Sequence, residues 1–248
     1  MEPILPFITA GDPDLDRLPG LLAQFSALGV RTLELGLPHS DPVADGPVLQ
    51  AAAHRAILAG ASPRRVLQTL AQVRDSPDLV LFTYFNPLLQ LGQDLLALLR
   101  PTPVKALLVV DLPPGEEPGW EAGLRRAGYP IVPLLSPTTP PQRARALMAA
   151  RPDPGPGAPF AQRFAYVVAR MGVTGDGQAT DLGPVQARIR SLREGSDRPL
   201  AVGFGLDQPE LLERVRAMGA TPVIGSALVQ ALHDGTSLEA FLRPRMGA

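Results

Sequence analysis

Eight short apolar runs of β character recur along the chain, and the segments between them carry helical spacing. The runs are Ile4 to Thr9, Arg31 to Gly36, Leu79 to Tyr84, Ala106 to Asp111, Ile131 to Leu135, Phe164 to Arg170, Leu200 to Phe204 and Pro222 to Gly225. Between them, apolar residues at i, i+3 and i+4 mark helices over Leu15 to Leu28, Pro47 to Leu58, Pro63 to Val73, Gln90 to Leu99, Gly119 to Ala127, Pro140 to Ala149 and Pro209 to Met218. Strand and helix alternating through 248 residues predict an α/β fold, a closed parallel (β/α)8 barrel of the TIM type, as a single domain over 1–248. A doubly wound open sheet is the runner-up; eight units without a large gap suffice for closure. The one odd segment, Arg151 to Gln162 (RPDPGPGAPFAQ), joins a helix to the next strand and is expected to be a tolerated surface insertion at the barrel bottom.

Composition excludes whole classes of function. A net charge of −1 leaves no global footprint for nucleic acid or an anionic membrane, so neither is an expected partner. With no cysteine, disulfides, thiolate nucleophiles and Cys-ligated metal are excluded, and the cytoplasm is the expected compartment. The start, Met1-Glu2-Pro3-Ile4, lacks the basic region of a signal peptide, and no apolar run approaches the roughly 18 residues of a membrane helix.

In such a barrel the active site sits at the C-terminal ends of the strands, so polar residues there carry the chemistry. Along Thr32-Leu33-Glu34-Leu35-Gly36, period-two alternation sends the leucines toward the helices and Glu34 into the barrel. Desolvation of a buried carboxyl raises its pKa and prepares it to donate a proton near neutral pH, unless an inward arginine pairs with it. The next loop adds Asp41 and Asp45; Asp45 precedes Pro47 and reads equally as a helix N-cap. On the far side, Gly203-Phe204-Gly205 and Gly225-Ser226, the latter opening a short helix over Ala227 to Leu232, form a candidate phosphate site of free N–H groups, although barrel turns need glycine anyway.

Phe7, Tyr84, Tyr166 and Phe204 lie between these two poles, where a flat ring would fit, or where they simply fill the core. The run Met171 to Thr180, with three glycines, suits a lid. The only lysine, Lys105, falls at the barrel bottom, which argues against a Schiff-base aldolase, and His39, His54 and His233 show no metal-ligand spacing. Acid–base catalysis by carboxylates on a phosphorylated substrate with an apolar ring remains.

The stretch ELGLPHSDPVADGP (Glu34 to Pro47) resembles the signature of the tryptophan synthase alpha family. PFITAGDPD, Tyr84-Phe85-Asn86-Pro87, VVDLP, RMGVTG, VGFG and IGSALV resemble the family's other blocks in the same order, across essentially the whole chain. The resemblance implies a lyase of tryptophan biosynthesis that cleaves indole-3-glycerol phosphate to indole and glyceraldehyde 3-phosphate. It also implies a beta-subunit partner in an alpha2beta2 complex, with pyridoxal phosphate in that partner and no cofactor in the alpha chain. Glu34 matches the family's general acid–base group and Asp45 the group that accepts the ring N–H. Phe7, Tyr84, Leu108, Tyr166 and Phe204 match the indole pocket, Gly205, Gly225 and Ser226 the phosphate cradle, and Thr174 a lid threonine. Asp41 and Pro42 match the loop that faces the beta subunit.

Three departures accompany the match. The sequence begins almost at the first strand, where the family carries a further helix across the barrel bottom, so lower stability of the isolated chain is expected. His39 stands where the family has an aromatic residue, and Arg151 to Gln162 is inserted. Two rival readings share the two acids: a sugar-phosphate isomerase or epimerase on the same phosphate loops, and a weakly catalytic subunit that only activates a partner.

Overall fold

Nearly every strand residue is buried, as expected where one face of a strand lines a barrel and the other meets helices. The computed structural model describes residues 2–149, 158–169, 182–203 and 208–246. Its strands are β1 (Leu5–Thr9), β2 (Thr32–Gly36), β3 (Asp78–Thr83), β4 (Val104–Val109), β5 (Leu134–Leu135), β6 (Ala165–Val168), β7 (Leu200–Gly203) and β8 (Thr221–Ile224). All neighbours pair in parallel, in the order β4-β3-β2-β1-β8-β7-β6-β5. The ring closes between β4 and the approach to β5. There Leu107 donates its N–H to the Pro130 carbonyl at 3.0 Å, and its own carbonyl accepts from Val132 at 2.8 Å. An open doubly wound sheet leaves these edges unpaired and is set aside.

The helices are α1 (Leu18–Ala27), α2 (Pro47–Leu58), α3 (Pro63–Leu70), α4 (Phe85–Leu91), α5 (Leu95–Leu99), α6 (Pro118–Arg126), α7 (Pro141–Ala149), α8 (Leu182–Arg193), α9 (Pro209–Ala217), α10 (Ser226–His233) and α11 (Leu238–Leu242). Strand alternation divides the apolar residues into two shells. Leu33, Leu35, Leu79, Leu81, Val167 and Val202 face the helices, whereas Leu5, Phe7, Val80, Phe82, Leu108, Tyr166 and Ala201 fill the barrel.

Two helical expectations change. The helix expected over Gln90 to Leu99 is broken: α4 starts directly after β3, and Gly92, at φ +54°, ends it before a 3-10 turn (Gly92–Asp94) leads into α5. Helix α8 was not anticipated, although Leu182, Val185, Ile189 and Leu192 are its buried stripe; the Gly183-Pro184 pair at its first turn reads in sequence as a loop. Arg170 and Phe204, expected at the ends of the sixth and seventh strands, lie outside the described residues.

The described end of the insertion corrects the surface reading. A 3-10 turn (Phe160–Gln162) puts Phe160 and Ala161 into the barrel interior, where the Phe160 ring stacks on Phe164 with centroids 4.9 Å apart and planes 1° from parallel. Gln162 Nε2 donates to the carbonyls of Lys105 (3.1 Å) and Gly128 (3.0 Å), at the N-terminal mouths of β4 and β5. Arg198 Nε donates to the Arg163 carbonyl and its NH1 to that of Leu147, both at 2.9 Å, tying α7 to the start of β6. Inward positions at this end of the barrel include the small Ala106 and Ala201, and the space they leave is filled by the turn. Replacing a buried phenyl ring with alanine costs about 3 kcal/mol. Phe160→Ala is therefore expected to lower unfolding stability by about 3 kcal/mol in urea titration, and an unchanged midpoint would show the turn to be surface decoration.

Candidate active site

Parallel registry places Phe7, Glu34 and Val80 side by side on β1, β2 and β3, all pointing inward. Glu34 is 1% exposed, and its Oε1 has no hydrogen-bond partner among the described residues. The arginine that could have neutralised it is not there among those residues. Burial holds its carboxyl well above the usual carboxylate range, which favours the protonated acid.

Asp45 comes from the loop between β2 and α2. Gly46 is the N-cap of α2 and Pro47 opens it, with no side-chain capping bond, so the N-cap reading of Asp45 does not hold and its carboxyl is free for other work. Its backbone is held instead, by its N–H on the Pro42 carbonyl at 3.0 Å and its carbonyl on Gln50 Nε2 at 2.8 Å. Burial pushes the Asp45 pKa up to about 6, against the opposing pull of a hydrogen bond from Tyr84.

Tyr84 lies one residue past β3 as the N-cap of α4, and its phenol oxygen accepts the Ala44 N–H at 3.0 Å. Asp111, at the end of β4, takes the Phe85 N–H at 2.7 Å and so caps α4 from a different strand. Tyr166 is buried, and burial, then the charges of Glu34 and Asp45, push its phenol pKa up, which places it in the field of both carboxyls. Its hydroxyl occupies the space above Gly203, where an added Cβ would lie 1.8 Å from it. Phe7 sits edge-on to Phe82, centroids 5.3 Å apart at 83°, and leans over Gly36, where a Cβ would lie 2.6 Å from the ring. Leu108 is fully buried on the same interior face.

Two strands round the ring from Glu34, at the end of β8, Gly225 is the N-cap of α10 and Ser226 its first residue; the Ser226 Oγ is buried without a hydrogen-bond partner among the described residues. An unpartnered hydroxyl at a helix N-terminus beside unspent N–H groups suits an anion. Thr174, Phe204 and Gly205 lie outside the described residues, as does the lid run. Lys105 is at the other end of the barrel, its Nζ 4.0 Å from Asp78 at the start of β3. Asp41 is exposed and Pro42 half-buried on the rim.

Beyond this geometry, the family model for the tryptophan synthase alpha chain matches residues 2–243. The chain belongs to the tryptophan synthase alpha family. The alpha chain of Synechocystis is 39% identical over 241 residues, covering 95% of this chain and 87% of that one, and the Arabidopsis thaliana alpha chain is 36% identical over 244 residues, covering 97% and 85%. Among solved structures, the Pyrococcus furiosus tryptophan synthase a2b2 complex contributes a chain with TM-score 0.81 at 28% identity, covering 98% of this chain and 95% of that one. A Mycobacterium tuberculosis tryptophan synthase gives 0.83 at 26%, with coverage of 98% and 90%. Among the described residues no helix is long and apolar enough to cross a membrane.

Sequence reading of this alpha-family site missed Phe82, although Val80, Phe82 and Tyr84 alternate and the same parity that found Glu34 would have found it. It also read Gly203 as part of a phosphate turn, whereas its hydrogen makes room for Tyr166.

The raised pKa values set a pH signature on stability. A carboxyl whose folded pKa exceeds its unfolded one costs the fold nothing below the unfolded value and the full amount above the folded one. For Asp45 the cost grows as pH rises from 3.8 to about 6 and is constant beyond. Asp45→Asn is therefore expected to stabilise the chain by about 1–3 kcal/mol near pH 8, fading to nothing near pH 4, as read by denaturant midpoints at the two pH values.

Proposed function

We propose that the chain cleaves indole-3-glycerol phosphate to indole and D-glyceraldehyde 3-phosphate by carboxylate acid–base catalysis, the alpha reaction of tryptophan biosynthesis. The observation that carries this reading is the buried Glu34 carboxyl, its Oε1 without a partner among the described residues and its pKa pushed up by burial, with Asp45 at the mouth of the barrel. The phosphate sits on the Gly225–Ser226 turn, and the indole ring lies among Phe7, Tyr84, Leu108 and Tyr166.

Glu34 donates its proton to indole C3. The ring becomes cationic, and the ionised Asp45 accepts the ring N–H and stabilises that charge. Glu34, now a carboxylate, takes the proton of the glycerol hydroxyl next to C3. The hydroxyl oxygen's electrons form the aldehyde carbonyl, the bond from that carbon to C3 breaks, and its electron pair restores the aromatic indole. The indole ring itself is the electron sink, so the reading needs no metal or cofactor in this chain.

The division of labour follows from environment: burial holds the deeper acid toward its protonated form, and the shallower one ionises above about 6. A beta subunit carrying pyridoxal phosphate receives the indole in an alpha2beta2 complex. Support for its docking face comes from the rim, where Val43 (68% exposed) follows Asp41 and Pro42, and Leu89 (53% exposed) projects from α4.

Indole release from indole-3-glycerol phosphate, measured for the purified chain alone and with a tryptophan synthase beta subunit, tests the reading. Turnover is expected to rise with the partner. Glu34→Gln is expected to lower kcat by about 100-fold or more, with binding largely intact, and Asp45→Asn by a comparable factor. Full activity of Glu34→Gln would sink the mechanism, and a chain that activates its partner without releasing indole would make it a pure activator.

The wild-type kcat is expected to fall as pH drops through about 6, where Asp45 takes up a proton. A flat profile between about pH 5 and pH 8 would remove Asp45 from the charge-stabilising role.

A further inference from the structure

Residues 37–46, between β2 and α2, touch one side chain, Tyr84, at three points. Ala44 donates its N–H to the phenol oxygen at 3.0 Å, and the Asp45 carboxyl shares the same hydroxyl. At the other end of the loop, the His39 imidazole leans on the Tyr84 ring, centroids 5.1 Å apart and planes 34° off parallel.

The three contacts restrain different motions. Both hydrogen bonds end on the oxygen, and a phenol pinned only at its oxygen can still swing its ring sideways. Below the ring the backbone is already fixed, because Asp111 holds the Phe85 N–H at 2.7 Å and the chain's single tryptophan, Trp120, packs edge-on to Phe85 at 5.0 Å and 76°. The Tyr84 side chain itself is buried, and among the described residues the aromatic ring that packs on its face is His39.

We propose that His39 is a positioning residue for the lyase reaction: its ring holds Tyr84 so that the phenol hydroxyl stays on the Asp45 carboxyl. The inference rests on the role given to Asp45 above. A Tyr84 free to turn gives up the hydrogen bond that stabilises the Asp45 carboxylate. Asp45 then takes up its proton at a higher pH, and the ring N–H of the substrate meets a less ionised partner. What the position requires is a flat side chain of about this size, so phenylalanine serves and alanine does not.

The test is the pH profile of kcat and KM for indole release, in the full chain assembled with a beta subunit, for the wild type, His39→Ala and His39→Phe. A lost ring contact translates to about a fivefold change in rate. His39→Ala is expected to lower kcat about fivefold with KM little changed, and to shift the acid limb to higher pH. His39→Phe is expected to restore most of the rate and return the limb to its wild-type position. In a Tyr84→Phe background, which has no hydroxyl to position, His39→Ala should cost nothing more.

An active wild type with an unaltered His39→Ala profile overturns the inference alone, as does a loss confined to KM or an undiminished loss in the Tyr84→Phe background. A wild type that releases no indole overturns the lyase reading and this inference with it.

Discussion

Placing a carboxyl inside a closed barrel without a counter-charge is the constraint on which the rest of the structure turns. Water solvates an ionised carboxylate far better than an apolar interior does, so burial pushes Glu34 toward keeping its proton. The surroundings enforce that choice. Phe7 and Val80 flank Glu34 on the neighbouring strands, the leucines on either side of it face the helices, and its Oε1 meets no donor among the described residues. Closure of the ring between β4 and β5 completes the enclosure, and without it the acid would lie on one face of an open sheet.

Asp45 shows what a shorter distance to solvent does to the same chemical group. It sits on a loop, is 9% exposed, and finds a hydroxyl in Tyr84, which opposes the upward push of burial and leaves its pKa at about 6. Burial thereby holds the deeper carboxyl toward its protonated form, while the shallower one ionises above about 6. The helices matter to this chiefly through their first residues. Gly46 and Pro47 start α2 without using Asp45, and Asp111 caps α4 so that Tyr84 is held at its threshold.

Most of this was legible from side-chain alternation. A period of two marks Glu34 as inward between outward leucines, and the same period explains why Phe7 and Tyr166 share its cavity. What could not be read depended on partners distant in sequence. Whether Asp45 capped a helix or faced the cavity turned on which residue took the N-cap, and both Gly46 and Asp45 are common there. The contact between His39 and Tyr84 joins residues 45 positions apart through loop geometry that no local pattern encodes. Phe160 lay in a run of prolines and glycines whose composition signals a loop, and only the small side chains on the facing strands reveal that an aromatic ring was wanted there.

Phe160 has a consequence for traffic through the molecule. Stacked on Phe164, and with Gln162 fastened to the mouths of two strands, it makes the barrel a vessel stoppered at one end. Among the described residues Phe160 and Phe164 fill the interior below Glu34, so the way out from Glu34 that they leave lies at the C-terminal ends of the strands. That opening is ringed by Asp41, Pro42, Val43 and α4, and whatever docks on the rim becomes the gatekeeper of everything that leaves.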